Sequence, residues 1–571
     1  MNSEILGTIL IFIVTVALAY PLGRYMARVF AGEKTFTDFM RPAERLIFKI
    51  CGIDPAGSMN WKQFLKAMLT INMLWLVYAM LMLTFQGNLP LNPDGNPGQT
   101  PDLAFNTAIS FLVNCNLQHY SGESGLTYLT QLFVITFLQF VSAATGIACL
   151  VALFNGFKEK TTNDLGNFWN YLVKSITRIL LPLSIIVAVI LAFSGTPASY
   201  DGKDSIVTLQ GDSVQVSRGP AAGMIAIKQL GTNGGGWFGA NSAHPFENPN
   251  YVTNAVETIS IIIIPIALVF SLGFYLKRKK LANMIFGVMT LLFAIFCAVN
   301  IYYETKGNPA IDKLGISQTA GSMEGKEVRF GAAATALWSV VTTSTSNGSV
   351  NGMHDSLTPM SGGMVILDMM INALYGGVGV GLLNFFIFII IAVFISGLMV
   401  GRTPEFMGHK VEAREVKIAA LVTLLSAFLI KGFTACAAYM VTHHPDVAWA
   451  VKPSAWLNNP SYHGFSEMLY EYTSSNANNG SGFEGLGDNN IFWNVTTGIV
   501  LILGRYLPII APIAITGLLA NKKFIPESPG TLRTDSYTFG VMILDVIIII
   551  TALSYLPALA LGPLAEYFSL Y

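Results

Sequence analysis

Apolar and polar residues follow each other along this chain in long blocks. Ten apolar blocks recur from end to end, each near the roughly 20 helical residues that a bilayer core requires. They cover 5–23, 64–86, 129–154, 178–195, 256–276, 283–303, 364–400, 418–442, 492–519 and 538–566. Such blocks predict spanning helices, because in lipid only helices and closed barrels satisfy their own backbone groups. The expected fold class is an all-α polytopic membrane protein with about ten transmembrane helices.

Charge then orients the blocks. The chain has 571 residues, 53% hydrophobic and 12% charged, with a mean hydropathy of +0.54. Soluble proteins carry roughly 25% charged residues, so an ordinary soluble enzyme is excluded. Thirty-three basic residues balance 33 acidic ones, so no net field favours nucleic acid. The connections 1–2, 3–4, 5–6, 7–8 and 9–10 hold 23 of the 33 Lys and Arg, and the other four connections hold 8. The basic side is cytoplasmic by the positive-inside rule, which puts both termini outside. Arg24 and Arg28 follow the first block while residues 1–4 carry no basic residue. That order predicts a retained first helix rather than a cleaved signal. Five cysteines without metal-like spacing give no disulfide framework.

The seventh block is too long for one straight helix across a core about 30 Å thick. It contains Gly376, Gly377, Gly379 and Gly381. Two spans joined there would move the basic segment 402–417 outside, so one crossing with a broken middle is expected. Irregular backbone at membrane depth is tolerated inside protein or beside a water-filled cavity. Close helix packing through small residues is the alternative role for these glycines.

The four outside connections repeat a pattern. Each has a short semi-apolar stretch (102–113, 221–230, 333–345, 463–473), then a small polar cluster, then the next span. The clusters are Asn114-Cys115-Asn116, Thr232-Asn233-Gly234, Ser346-Asn347-Gly348 and Ser475-Asn476-Ala477. Nine positions after each start stand Glu123, Asn241, Asp355 and Glu484. The pattern predicts four repeats of span, re-entrant pore loop and span. Repeat one is 64–154 with pore loop 102–128, and repeat two is 178–276 with pore loop 221–249. Repeat three is 283–400 with pore loop 333–358 and the broken helix 364–400. Repeat four is 418–519 with pore loop 463–490. Extra helices lie at 1–23 and 538–571.

Four loops meeting on an axis can replace a cation's hydration shell with oxygens. Short helices before them would aim their negative C-terminal ends at the ion. K⁺ suits such oxygens, whereas Ca²⁺ or Mg²⁺ would call for carboxylates within the clusters. The acids nine positions on predict a ring at the outer mouth that concentrates cations. Lys431 and Arg505 lie inside apolar blocks and need a partner or an aqueous path. A gating or interface role and a structural ion pair are both open for them. Arg402 follows the broken block as an interface residue or a positive-inside anchor. His119, His244 and His354 lie just past three clusters and are expected to prop the loops. No phosphate-binding loop is present, and no segment on the basic side exceeds about 40 residues, so ATP chemistry is not expected in this chain.

Several longer motifs carry a resemblance. Leu230-Gly-Thr-Asn-Gly-Gly-Gly236 precedes His244-Pro-Phe-Glu-Asn-Pro249, and Val350-Asn-Gly-Met-His-Asp-Ser356 follows the third cluster. Leu165-Gly-Asn-Phe-Trp169, Gly401-Arg-Thr-Pro-Glu405 and Leu559-Ala-Leu-Gly-Pro-Leu-Ala-Glu566 add to them. With these motifs the chain resembles, from first span to last, the KdpA family, the potassium-binding subunits of bacterial Kdp potassium-transporting ATPases. The resemblance implies K⁺ taken from outside by a filter at Asn114, Thr232, Ser346 and Ser475, with Gln118 nearby. It implies that the glycines at 376–381 block a straight path and that ions turn sideways through an intramembrane tunnel into the P-type ATPase subunit KdpB. KdpC, a small single-span subunit, the lipid bilayer and the bacterial inner membrane are the implied partners and location. K⁺ is then the transported ion, with no cofactor. Repeats one and four depart from the family's glycine with Asn116 and Ala477, which suggests asymmetric coordination. The alternatives are an autonomous Trk- or Ktr-like transporter, a membrane enzyme with its site in the outer loops, and a scaffold subunit with a vestigial pore.

Overall fold

The computed structural model describes residues 3–526 and 532–570. The first two residues of the expected first segment and residue 571 of the last lie outside the described residues. Among the described residues, ten helices are long and apolar enough to cross a membrane, and they fall on the ten blocks. The leading helix is α1 (Ser3–Phe30). Repeat one consists of α2 (Trp61–Phe85), the short α3 (Pro101–Leu112) and α4 (Phe137–Gly156). Repeat two consists of α5 (Phe168–Phe193), the short α6 (Ala221–Leu230) and α7 (Tyr251–Tyr275). Repeat three has α8 (Lys279–Lys306), the short α9 (Ala332–Ser344) and the interrupted pair α10 (Pro359–Ile371) and α11 (Val380–Val400). Repeat four has α12 (Ala413–His443), α13 (Ser461–Ala477) and α14 (Ile491–Ala520). Helices α15 (Tyr537–Leu561) and α16 (Pro563–Leu570) follow.

Asparagines mark where several spans begin. Asn60, Asn250 and Asn490 accept the first free backbone N–H groups of α2, α7 and α14. Each thereby satisfies donors that the helix cannot pair internally. Burial then separates the helices into two layers. In α4, 89% of the most apolar stretch is buried, against 22% in α2. Helices α7, α11 and α14 are also mostly buried, whereas α1 and α12 face outward. The last span of each repeat therefore lines the centre, and the first covers it. The short helices α3, α6, α9 and α13 are buried within this inner ring. Helix α1 packs along α7 at Gly23, where a Cβ would lie 2.4 Å from the Ala267 carbonyl oxygen. A β-hairpin, Asp204–Val207 with Ser213–Val216, sits in the connection before α6.

The seventh block is broken, as its length demanded. Residues 372–379 separate α10 from α11, with left-handed backbone at Asn372, Tyr375, Gly376 and Gly379. The glycines serve this loop rather than helix–helix contact. A Cβ on Gly379 would lie 2.2 Å from the Gly146 oxygen of α4, and one on Gly381 would lie 2.2 Å from the Gly376 Cα.

Candidate ion-binding site

Each short helix ends in the same tight turn, built from alternating left-handed residues. The pairs are Asn114 and Asn116, Thr232 and Gly234, Ser346 and Gly348, and Asn478 and Gly480. One helical carbonyl anchors each turn four positions before its start. Ser110 O accepts the N–H groups of Cys115 and Asn116, and Lys228 O accepts those of Asn233 and Gly234. Thr342 O accepts Asn347 N–H and Ser474 O accepts Asn479 N–H, while the Thr342 and Ser474 hydroxyls accept Gly348 and Gly480 N–H.

This geometry corrects the fourth cluster. Ser475, Asn476 and Ala477 form the last turn of α13, and the turn equivalent to the other three is Asn478-Asn479-Gly480. Ser, Asn and Ala do not stop a helix at that point. The stop falls on Asn478, which adopts the left-handed conformation that Asn tolerates better than most residues. Repeat four therefore keeps the glycine, and Asn116 is the single departure.

The four turns close on one another. A Cβ on Gly234 would lie 1.9 Å from Asn347 O, one on Gly348 2.2 Å from Asn479 O, and one on Gly480 2.0 Å from Cys115 O. The first and second turns meet where Asn116 fills the space beside Gly235. Side chains bind the ring further. Asn114 Nδ2 donates to Thr232 O at 2.8 Å, and Asn233 Nδ2 donates to Asn114 Oδ1 at 2.7 Å. Asn347 and Asn479 each donate to the anchoring carbonyl of the preceding repeat, Lys228 O and Thr342 O. Gln118 clamps Gly236 through both its amide groups. All four helix C-termini thus converge on one small ring, whose partial negative charge favours a cation.

The 372–379 loop lies against one side of this ring. Val378 N–H donates to the Thr232 hydroxyl at 2.9 Å, and Gly376 N–H to Ser344 O at 2.7 Å. Gly377 sits beside Thr232, Ser346 and the Arg505 guanidinium. Arg505 is buried and donates to Ser142 O. The Ser346 hydroxyl reaches Asn372, whose carbonyl accepts Asn384. A cavity of about 50 Å³ opens next to these, lined by Asn372, Asn384, Phe388, Ser426 and Tyr555. Lys431 instead lies on the exposed face of α12 near Phe428, and Arg402 is exposed just after α11.

The acids beyond the turns do not form an even ring. Glu123 accepts Gly239 N–H at the first–second seam. Asp355 is buried, and Glu484 accepts its N–H, so both stand at the third–fourth seam. Counted from Asn478, Glu484 falls six positions on, so the common offset is lost. Asn241 instead supports the second turn by donating to Gly234 O at 2.7 Å. The three histidines do prop loops. His354 bonds the Tyr470 hydroxyl, and His244 stacks on Phe238. Asn494 donates to Asp102 and so accepts from His119 Nδ1. Burial lowers the His119 pKa, but Asp488 and Glu471 outweigh it and raise the value to about 9.

Two buried ion pairs behind the turns escaped the sequence reading. Lys228 pairs with Glu247, both fully buried, and also donates to Asn241. Lys326 pairs with Glu304 at 2.8 Å, and Glu304 also accepts from Thr358. Their signal was a lone Lys within the apolar stretch 221–230 and a Glu directly after the apolar block 283–303.

Comparison with known proteins places this architecture. The family model described as the potassium-transporting ATPase A subunit, KdpA, matches residues 9–568. A protein of Flavobacterium johnsoniae named potassium-transporting ATPase potassium-binding subunit is 64% identical, with both chains covered in full. A protein of that name from Bacteroides thetaiotaomicron is 63% identical over the full length of both, and one from Alicyclobacillus acidocaldarius is 48% identical over 100% of this chain and 99% of its own. Among solved structures, the potassium transporter TrkH of Vibrio parahaemolyticus shares the fold with a TM-score of 0.50 at 15% identity, covering 90% of this chain and 98% of its own. On the family match and full-length identity, the chain belongs to the KdpA family.

Proposed function

We propose that this chain is the potassium-binding subunit of an ATP-driven K⁺ uptake pump in the bacterial inner membrane, with both termini outside. The ring of four left-handed turns is the observation that carries the reading. Four helix C-termini aimed at one ring of carbonyl and hydroxyl oxygens suit a weakly hydrated monovalent cation. The names of the full-length relatives support K⁺ as that ion. Site residues are Asn114–Asn116, Thr232–Gly234, Ser346–Gly348 and Asn478–Gly480. Glu123 and Glu484, at the outer end of two seams, draw cations to the mouth.

The path onward is lateral. The 372–379 loop closes the way past Thr232 and Ser346, and Asn372 leads from Ser346 toward the cavity beside Phe388. A partner P-type subunit, KdpB, receives the ion there and supplies ATP hydrolysis, with KdpC and a small single-span subunit completing the complex. The exposed Lys431 and Arg402 lie on the outer surface available to such partners. On this reading ATP hydrolysis belongs to the partner subunit and not to this chain.

The test is ATP hydrolysis by the complex purified through this chain. K⁺ should stimulate it, and Thr232→Ala or Ser346→Ala should raise the K⁺ needed for half-stimulation more than tenfold with assembly intact. Unchanged K⁺ dependence in both variants would refute the filter. K⁺ flux through the chain alone in liposomes would instead identify an autonomous transporter.

A further inference from the structure

The outer wall between repeats three and four holds a compact set of ligand-type side chains that K⁺ binding does not use. Asp355 follows the third turn, and His463 and Glu467 lie one helical turn apart at the start of α13. One ligand atom from each of the three lies within 4.8 Å of the others. His463 Nε2 is 3.0 Å from Asp355 Oδ1, and its Nδ1 is 2.9 Å from Glu566 Oε1 of α16. Asn459 holds the two acids together. Its Nδ2 donates to Asp355 Oδ2 at 3.1 Å and to Glu467 Oε1 at 3.0 Å, and its backbone N–H also reaches Glu467 Oε1.

Two further observations point to a ligand. Glu467 has 0% exposure, yet its Oε2 has no hydrogen-bond partner. Leaving a buried carboxylate oxygen unpaired is costly. A residue without a side chain also packs directly against both acids. A Cβ on Gly485 would lie 2.7 Å from both Asp355 Oδ2 and Glu467 Oε1.

We propose that Asp355, His463 and Glu467 bind a divalent transition-metal ion of the Zn²⁺ type. One imidazole nitrogen and two carboxylate oxygens form a three-ligand set that leaves a fourth position for water. Zn²⁺ with ligands at about 2.1 Å needs them about 3.4 Å apart, within reach of small side-chain rotations. Glu566 supplies the outer support that metal-bound histidines regularly have. A carboxylate on Nδ1–H leaves the Nε2 lone pair for the metal. Binding displaces the proton shared by His463 and Asp355 to solvent. The His463 side chain is 17% exposed, which gives the ion entry from the outer surface. A bound ion would join α16, the loop after the third turn and the helix that ends in the fourth turn. It acts as a clip on the wall of the mouth, separate from the ring of four turns.

The probe is ZnCl₂ added to the intact complex stripped with chelator. The expected result is one tightly held Zn²⁺ per chain and an X-ray absorption spectrum with nitrogen and oxygen neighbours and no sulfur. Zn²⁺ should also raise the thermal midpoint. His463→Gln and Glu467→Gln should each weaken binding at least tenfold, and Glu566→Gln less. His443→Ala with His444→Ala, both exposed and remote in sequence from the cluster, should bind as the parent does. Less than one Zn²⁺ per chain, sulfur in the spectrum, or unchanged affinity in His463→Gln and Glu467→Gln would overturn the site. Where a variant fails to assemble, the spectrum of the unaltered complex decides.

Discussion

The first and second turns of the ring have the same backbone shape and opposite means of holding it. The second turn ends in Gly234, pressed on Asn347 O so closely that no side chain fits. Behind it a fully buried Lys228–Glu247 pair holds Asn241, which in turn holds the Gly234 carbonyl. The first turn ends in Asn116, a residue with a side chain at φ 62°. That conformation costs roughly 1–2 kcal/mol for a non-glycine residue. Its amide oxygen accepts from Gln139, and its Cβ occupies the space beside Gly235. Three seams of the ring are thus closed by glycine against a neighbour's carbonyl, and one is closed by a side chain. The common requirement is the left-handed pair of residues, not a common chemistry.

The largest effect should come from Gly234→Ala. The new methyl collides with Asn347 O at a position that already has φ 85°. K⁺ uptake should fall more than a hundredfold, read as rubidium influx at limiting concentration. Uptake within threefold of the parent would show that the seam can open. Next comes the pair behind the turn. Lys228→Met or Glu247→Gln strands a buried polar partner and should cost about 3–5 kcal/mol. Thermal unfolding of the complex measures this, and Lys228→Met combined with Glu247→Gln should cost less than the two single losses added together. A double variant no better than the sum of the singles would deny the coupling. The smallest effect belongs to Asn116→Gly. Relief of backbone strain opposes the void left beside Gly235, so K⁺ affinity should weaken less than fivefold. A loss as large as that of Gly234→Ala would mean that the Asn116 side chain, not its backbone, is what the first seam requires.

The spans were legible because a bilayer imposes length and composition on them at once. The repeat was legible for a related reason: irregular backbone inside a membrane protein needs small polar residues and glycine. The fourth turn was not, because Ser474 to Gly480 is small throughout and polar at nearly every position. Composition alone cannot say where in such a run α13 stops. The pattern that does say so is Asn478 followed two positions later by Gly480, with a hydroxyl four positions before it. Ser475-Asn476-Ala477 lacks that glycine. The mouth acids failed for a different cause. Equal sequence offset does not mean equal depth, and Asp355 turned inward to His463 and Asn459. The buried pairs are invisible to periodicity because partners such as Lys228 and Glu247 meet only after the chain has folded back through the second turn.

In the proposed function, the loop at 372–379 bears on how a pump wastes or keeps what it gains. An open pore passes ions far faster than a cycle of ATP hydrolysis can turn, so rare openings would drain an accumulated gradient. Gating by a mobile side chain would leave such openings to thermal chance. On the proposed path the obstruction is main chain, hydrogen-bonded to Thr232 and Ser344 and wedged at Gly379 against α4. Clearing it means breaking several contacts together, which makes spontaneous leak exponentially rarer than a rotamer flip would allow.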